Sequence, residues 1–297
     1  SLIFEDYLPA GYLFDKETTQ KENGNYVISF DETKNFVTLT AKEILLQEVN
    51  KDLTKVYQLT APKLYGTVQN DGGTYSNSYK LLLNKGTANA YTVTSNIVTV
   101  RTPGDGETTT LITPDKNNEN ADGVLINDTV VALGTTNHYR LTWDLDQYKG
   151  DRSAKETIAR GFFFVDDYPE EVLDVVENGT AVTTLDGQKV SGITVKTYAS
   201  LNEAPKDLQY KLARAKITPT GAFQVFMPDD NQAFYDQYVK TGTSLALLTK
   251  MTVKDSLYGH TKTYTNKAYQ VDFGNGYETK EVTNTLVSPE PKKRNLN

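Results

Sequence analysis

Along most of the chain, hydrophobic and polar residues alternate with a period of two. The runs "NYVISF", "NFVTLTA", "SYKLLL", "AYTVTSNIVTVR", "HYRLTWDL", "GITVKTY", "AYQVDFG" and "ETKEVTNTLV" are short, rich in β-branched and aromatic residues, and bounded by Gly, Asn and Asp. That pattern predicts half-buried strands. In "TAKEILLQEVNKDL", "EAPKDLQYKLARA" and "NQAFYDQYVKTG" the apolar residues instead recur every three or four positions behind a polar cap, which predicts short helices set between strands. The stretch "TPGDGETTT" has no large apolar side chain and reads as a linker. The expected architecture is all-β: tandem immunoglobulin-like β-sandwiches with short helical insertions. Residues 1–102 form the first sandwich, 103–110 the linker and 111–288 the second sandwich, and 289–297 begin a further linker.

The chain also repeats itself. It opens on "SLIFEDYLPAGY", where Asp6 ends an apolar run and Pro9 follows three residues on; "GFFFVDDYPEE" does the same with Asp166 and Pro169. Downstream of Asp6 come "TYSNSYKLLL" and then "TSNIVTV" with Asn96. Downstream of Asp166 come "TYTNKAYQV" and then "VTNTLV" with Asn284. Two copies of one domain explain this order, and the longer second copy is expected to carry an insert between Ser200 and Gly242.

A carboxylate and a carboxamide recurring on inner strands of a sandwich are costly to bury without partners. One chemistry needs both. A lysine amine attacks the Asn side chain, ammonia leaves, and a neutral carboxylic acid polarises the carbonyl and carries protons; the product is an isopeptide bond. An apolar core supplies the neutral amine and neutral acid by lowering one pKa and raising the other. The lysine belongs in the first strand of the domain, and "ITPDKNNENADG" opens the second domain with Lys116, 50 residues before Asp166. The expected set is Lys116 and Asn284 as the cross-linked pair with Asp166 assisting. Asp6 and Asn96 are the counterparts in the first domain, where no lysine precedes Asp6, so that domain reads as truncated at its start.

Composition narrows the function classes. The net charge of −7 and pI near 5.1 exclude an extended basic face and so argue against a nucleic-acid partner. No apolar run reaches the length a bilayer span requires, so no membrane insertion is expected. Zero cysteines suit an exported protein of Gram-positive bacteria better than a secreted animal protein. His138 and His260 stand far apart, which disfavours a zinc site or a Ser-His-Asp triad. Asp144 and Asp146 alternate with Trp143 and Leu145 in "TWDLDQYKGD"; with Asp167 they form a candidate calcium site, since hard cations need convergent oxygens. The same carboxylates support an alternative function, a carbohydrate-active sandwich, either a glycoside hydrolase or a calcium-dependent lectin module, with Trp143 and Tyr side chains lining its cleft.

The longer motifs resemble a known family. "LTWDLDQYKGD", "FFFVDDYPEEVLDV", "GAFQVF", "YVKTGTSLA" and "NKAYQVDFGNGYET" are similar to the middle C-terminal domain of the streptococcal antigen I/II cell-wall adhesins, and "DYLPAGYLFD" with "SNIVTVRTPG" to the domain before it. The resemblance implies variant immunoglobulin sandwiches stapled by Lys–Asn bonds. They would stack as a monomeric, non-enzymatic stalk on the cell surface, anchored to the cell wall through parts outside this chain. Implied partners are host glycoproteins such as salivary agglutinin or extracellular matrix, and other bacteria. Some members carry a partner-binding helix and turn, which maps here onto Leu208, Leu212, Lys216, Ile217, Thr218 and Pro219; the spacing departs from that pattern and Pro219 stiffens the turn.

Overall fold

The computed structural model describes residues 1–52, 54, 61–68, 73–102 and 112–288. The expected linkers at 103–110 and 289–297 lie outside the described residues. The chain divides into two compact units, residues 1–109 with 148–160, and residues 110–147 with 161–297. The segment 148–160, which the sequence reading placed in the second domain, therefore packs with the first unit. Its Arg152 N–H donates to the Thr74 carbonyl (3.0 Å), and the Ser76 hydroxyl donates to Asp151 (3.2 Å).

Unit 1 contains β1 (Leu2–Tyr7), β2 (Tyr12–Phe14), β3 (Tyr26–Asp31), β4 (Phe36–Ala41), β5 (Gly66–Val68), β6 (Thr74–Asn77), β7 (Tyr79–Leu83), β8 (Tyr91–Thr94) and β9 (Val98–Arg101), with helices α1 (Lys16–Glu22), α2 (Glu43–Lys51) and α3 (Lys155–Ile158). Five strands form its main sheet in the order β3-β4-β1-β7-β8, while β2 pairs β5 and β6 pairs β9. Period-two burial on β4 sends Val37, Leu39 and Ala41 inward, where they meet Leu2, Tyr26, Ile28 and Leu45. The highly polar "KETTQKE" of α1 gave no helical hydrophobic signal. Asp15 starts that helix by accepting from the Thr18 N–H at 2.9 Å, which satisfies an otherwise orphan donor.

Unit 2 contains β10 (Asp115–Glu119), β11 (Val130–Val131), β12 (Thr136–Trp143), β13 (Phe162–Asp167), β14 (Leu173–Thr184), β15 (Ile193–Tyr198), β16 (Phe223–Pro228), β17 (Leu245–Val253), β18 (Thr261–Asp272), β19 (Asn275–Glu278) and β20 (Val282–Val287), with α4 (Lys206–Arg214) and α5 (Asn231–Phe234). One sheet runs β10-β12-β17-β14 and the other β11-β20-β18-β13-β16-β15, with β19 on β18. On β12, Asn137, Tyr139, Leu141 and Trp143 are all buried, one side of a strict alternation. On β13 both faces are buried. Phe162, Phe164 and Asp166 share one face, where Trp143 packs edge-on to Phe164 and tilted on Phe234. Phe163 and Val165 face the other way, onto Leu208 and Leu212 of α4. The molecule is mostly β-sheet with short helices, and among the described residues no helix is long and apolar enough to cross a membrane.

The expected insert is narrower than Ser200–Gly242. That range contains β16, an integral strand that pairs β13 as β4 pairs β1. The added piece is the β15–β16 connection carrying α4; the corresponding β3–β4 connection is a tight turn with Asn35 at φ 50°.

Candidate functional site

The site grows from three strands. β10 contributes Lys116, β13 contributes Asp166 and β18 contributes Asn266, and all three side chains are completely buried. Lys116 Nζ donates to Asp166 Oδ1 at 2.5 Å and sits 4.9 Å above the Tyr139 ring. Burial pushes the Lys116 amine below its ordinary pKa and the Asp166 carboxyl above its own, against the attraction between them. Both shifts favour the uncharged pair. Asn266 is placed by register: it stands opposite Val282, and two residues on, Ala268 stands opposite Asp166. Its carboxamide is near enough to Asp166 and Tyr139 to bias both toward ionisation. Even so, neither of its amide atoms has a hydrogen bond within distance and angle limits, and Asp166 Oδ2 and the Tyr139 hydroxyl are likewise buried without one. Each such atom costs about 1–3 kcal/mol, so the cluster is held at a penalty.

Asn284, the expected cross-linking residue, is placed elsewhere. Its Oδ1 accepts from Asn118 Nδ2 at 2.9 Å, and its Nδ2 donates to the carbonyls of Ile126 (2.6 Å) and Thr129 (3.2 Å). With Asn118 also donating to Asn137 at 2.7 Å, Asn284 belongs to an amide network tying β20 to β10 and β12, in which both of its own amide atoms are paired and Asn118 Oδ1 is not. The sequence reading aligned the two final strands on Asn96 and Asn284, but pairing register puts Val100 opposite Tyr75 and Asn284 opposite Tyr264. Asn96 is exposed and precedes β9. Asp6 instead accepts from Asn77 Nδ2 at 3.0 Å. The Asn that accompanies the recurring Asp is therefore the one in "TYSN" and "TYTN", a signal present in the sequence and passed over for the strand that ends the domain.

The other candidates separate. β12 ends at Trp143, so Asp144 and Asp146 do not alternate on a strand. Asp144 is buried and accepts from the Thr113 N–H at 2.7 Å, whereas Asp146 is exposed. Burial, with the neighbouring Asp146 carboxyl, raises Asp144 to about 6. Asp167 accepts from the Thr220 N–H and hydroxyl instead. Among the described residues no three His, Cys, Asp or Glu side chains are grouped to hold a metal ion. Trp143 is fully buried and donates Nε1–H to Asp272 at 2.9 Å, so it lines no cleft. Of the partner-binding candidates, Leu208, Leu212, Ile217 and Pro219 are buried, the first three in the core beneath α4, and only Lys216 and Thr218 are exposed.

A profile of the cell surface antigen I/II C2 terminal domain matches residues 114–286. Among solved structures, the C-terminal domain of AspA, an antigen I/II-family protein of Streptococcus pyogenes, is 30% identical with a TM-score of 0.56, over 60% of this chain and 53% of that one. A structure titled BspA_C_mut is 32% identical with a TM-score of 0.55, over 60% and 52%. The C-terminal domain of the antigen I/II polypeptide BspA from Streptococcus agalactiae is 29% identical with a TM-score of 0.48, over 60% and 50%. The chain spans about half the length of these structures. The fold and the profile match define the class as a domain of a bacterial cell-surface protein. More narrowly, the chain belongs to the antigen I/II family through its C2 terminal domain.

Proposed function

We propose that unit 2 is a self-cross-linking stalk domain of a wall-anchored adhesin, closed by an isopeptide bond between Lys116 Nζ and the Asn266 side chain with Asp166 as proton carrier. The observation that carries this is the buried Lys116–Asp166 contact with the hydrogen-bond-deficient Asn266 carboxamide beside it. The neutral amine attacks the carboxamide carbon while protonated Asp166 donates to its oxygen. Asp166 then relays an amine proton to the leaving nitrogen, so one C–N bond forms, one breaks and ammonia departs. The reaction replaces a lysine and a primary amide with one secondary amide. The adhesive role is proposed on family grounds, with host glycoproteins or other bacteria as partners. On α4 and its turn, the surface open to them includes Lys206, Asp207, Tyr210, Ala213, Lys216 and Thr218.

High-resolution mass spectrometry of the intact chain tests the bond. The expected mass is about 17 Da below that of the sequence, one ammonia, with no enzyme added. Asn266→Ala and Asp166→Ala restore the full mass, whereas Asn284→Ala keeps the loss. A mass loss that vanishes with Asn284→Ala and survives Asn266→Ala would return the bond to the last strand.

A further inference from the structure

Unit 2 buries a hydroxyl that the proposed cross-linking steps leave idle. Tyr139 lies midway along β12, fully buried, on the face that also sends Asn137 and Leu141 inward. Its ring carries Lys116 Nζ 4.9 Å from its centre, and Asn118, two residues beyond Lys116, stands directly opposite it on β10. From the other sheet, Tyr264 packs into the same core cluster as Tyr139 and Val282. Asn266 follows Tyr264 two positions along β18, on the same face and opposite Val282. The Tyr139 hydroxyl thus lies beside the Asn266 carboxamide and the Tyr264 hydroxyl, and both bias its ionisation.

Packing alone does not call for this group. The hydroxyls of Tyr139 and Tyr264 and both amide atoms of Asn266 are buried without a hydrogen bond, and a phenylalanine at 139 would fill the same space with nothing left unpaired. A buried polar group kept at such a cost asks for an explanation in function. Ionisation is not that function: burial, reinforced by Tyr264 and Asp166, holds the Tyr139 phenol well above its ordinary pKa, so it stays a neutral hydroxyl. Asp166, meanwhile, is given two tasks with one proton, polarising the carboxamide oxygen and supplying the departing nitrogen, and its Oδ1 is already engaged by Lys116.

We propose that Tyr139 is a further catalytic residue of the cross-linking reaction, its hydroxyl donating a hydrogen bond to the Asn266 nitrogen as that nitrogen departs. This rests on the reading of unit 2 as self-cross-linking. In the planar amide the nitrogen lone pair is delocalised into the carbonyl, and the NH₂ group donates but does not accept; the hydroxyl therefore has nothing to give its proton to before reaction. Attack by Lys116 Nζ makes the carboxamide carbon tetrahedral and returns the lone pair to the nitrogen, which then accepts from the Tyr139 O–H. The proton that completes ammonia still comes from the attacking amine through Asp166. One C–N bond forms, one breaks, and Tyr139 begins and ends protonated. An interaction made only after attack lowers the barrier without tightening the ground state. The ring beneath Lys116 Nζ is a separate contact that a phenylalanine preserves, so hydroxyl and ring can be tested apart.

The test follows the ammonia loss by intact mass in the full chain, made by cell-free synthesis and sampled over time. Tyr139→Phe is compared with the parent and with Tyr264→Phe, which removes a neighbouring buried hydroxyl. The expected result is that Tyr139→Phe reaches the same product roughly 100-fold more slowly, the low end for deleting one preorganised donor, while Tyr264→Phe converts at close to the parent's rate. Combined with Asn266→Ala, where no bond forms, Tyr139→Phe leaves the melting temperature of unit 2 equal or higher, because it removes an unpaired buried group. Conversion of Tyr139→Phe at the parent's rate overturns the proposal and leaves the Lys116–Asn266 bond standing. Equal slowing by both variants, or a lowered melting temperature in the Asn266→Ala background, also overturns it, since the hydroxyl then acts only through packing. A parent chain that never loses ammonia removes the reading of unit 2, and this proposal with it.

Discussion

Asp6 makes the chemistry of burial measurable at a single residue. Its carboxyl is held near 7 in the folded state against 3.8 ordinarily, with desolvation the larger cause and the Asn77 hydrogen bond opposing it. Since the folded state binds this proton more tightly than the unfolded chain, the contribution is full below pH 4 and is lost as pH rises through 7. The loss is on the order of 4 kcal/mol, from the size of the shift. Asp6→Asn removes the term, so unit 1 of the variant should gain melting temperature over the parent at pH 7.5 and lose that advantage at pH 4.5. A parent-to-variant difference that stays constant between those values would mean that Asp6 ionises freely. The residue scale is also where the sequence was hardest to read. The buried Lys116–Asp166 pair was legible because one residue opens a domain and the other recurs after an apolar run. The carboxamide beside that pair was not, because Asn266 and Asn284 are both buried polar residues on inner strands. Only hydrogen bonding separates them, three partners for one and none for the other.

At the scale of elements, period-two and period-four patterns translated well into strands and into α2, α4 and α5. What they missed were pieces whose cause is not periodic burial: α1, started by an aspartate cap, and α3, four residues long. The reading of α4 as a binding helix shows the limit more clearly. Its apolar spacing marks the face that covers β13 and β16, so the residues with the strongest pattern are the ones a partner cannot reach. Two variants follow from this. Leu212→Ala should cost about 2–5 kcal/mol, as for a fully buried leucine, and lower the melting temperature of unit 2. Tyr210→Ala, 62% exposed, should leave stability within about 0.5 kcal/mol and weaken attachment to surfaces coated with salivary agglutinin. Undiminished attachment of the Tyr210 variant would move the adhesive surface off this helix.

For the whole molecule, the proposed cross-link sets how much of unit 2 is enclosed. A bond between Lys116 and Asn266 closes a loop of 150 residues, for which the chain-entropy estimate made for disulfides gives about 5 kcal/mol, comparable to a domain's net stability. Asn266→Ala should therefore lower the melting temperature by roughly 10 °C or more at this size. The loop ends within β18, so β19 and β20 lie outside it. Pulled from its ends in a single-molecule experiment, unit 2 should release those strands and stop, whereas the Asn266 variant extends fully. Full extension of the parent would show that the loop is open.

The burial of Lys116 and Asp166 also fixes an order of events. In the unfolded chain both groups are charged and neither can do its part; they become competent only after β10, β13 and β18 have assembled around them. A strand paired one residue out of register turns its side chains to the opposite face, and Lys116 then points away from Asn266. The proposed bond can thus be written only on a correctly folded domain, and once written it is not erased by the next fluctuation. Folding, reversible until that moment, would acquire a direction in time.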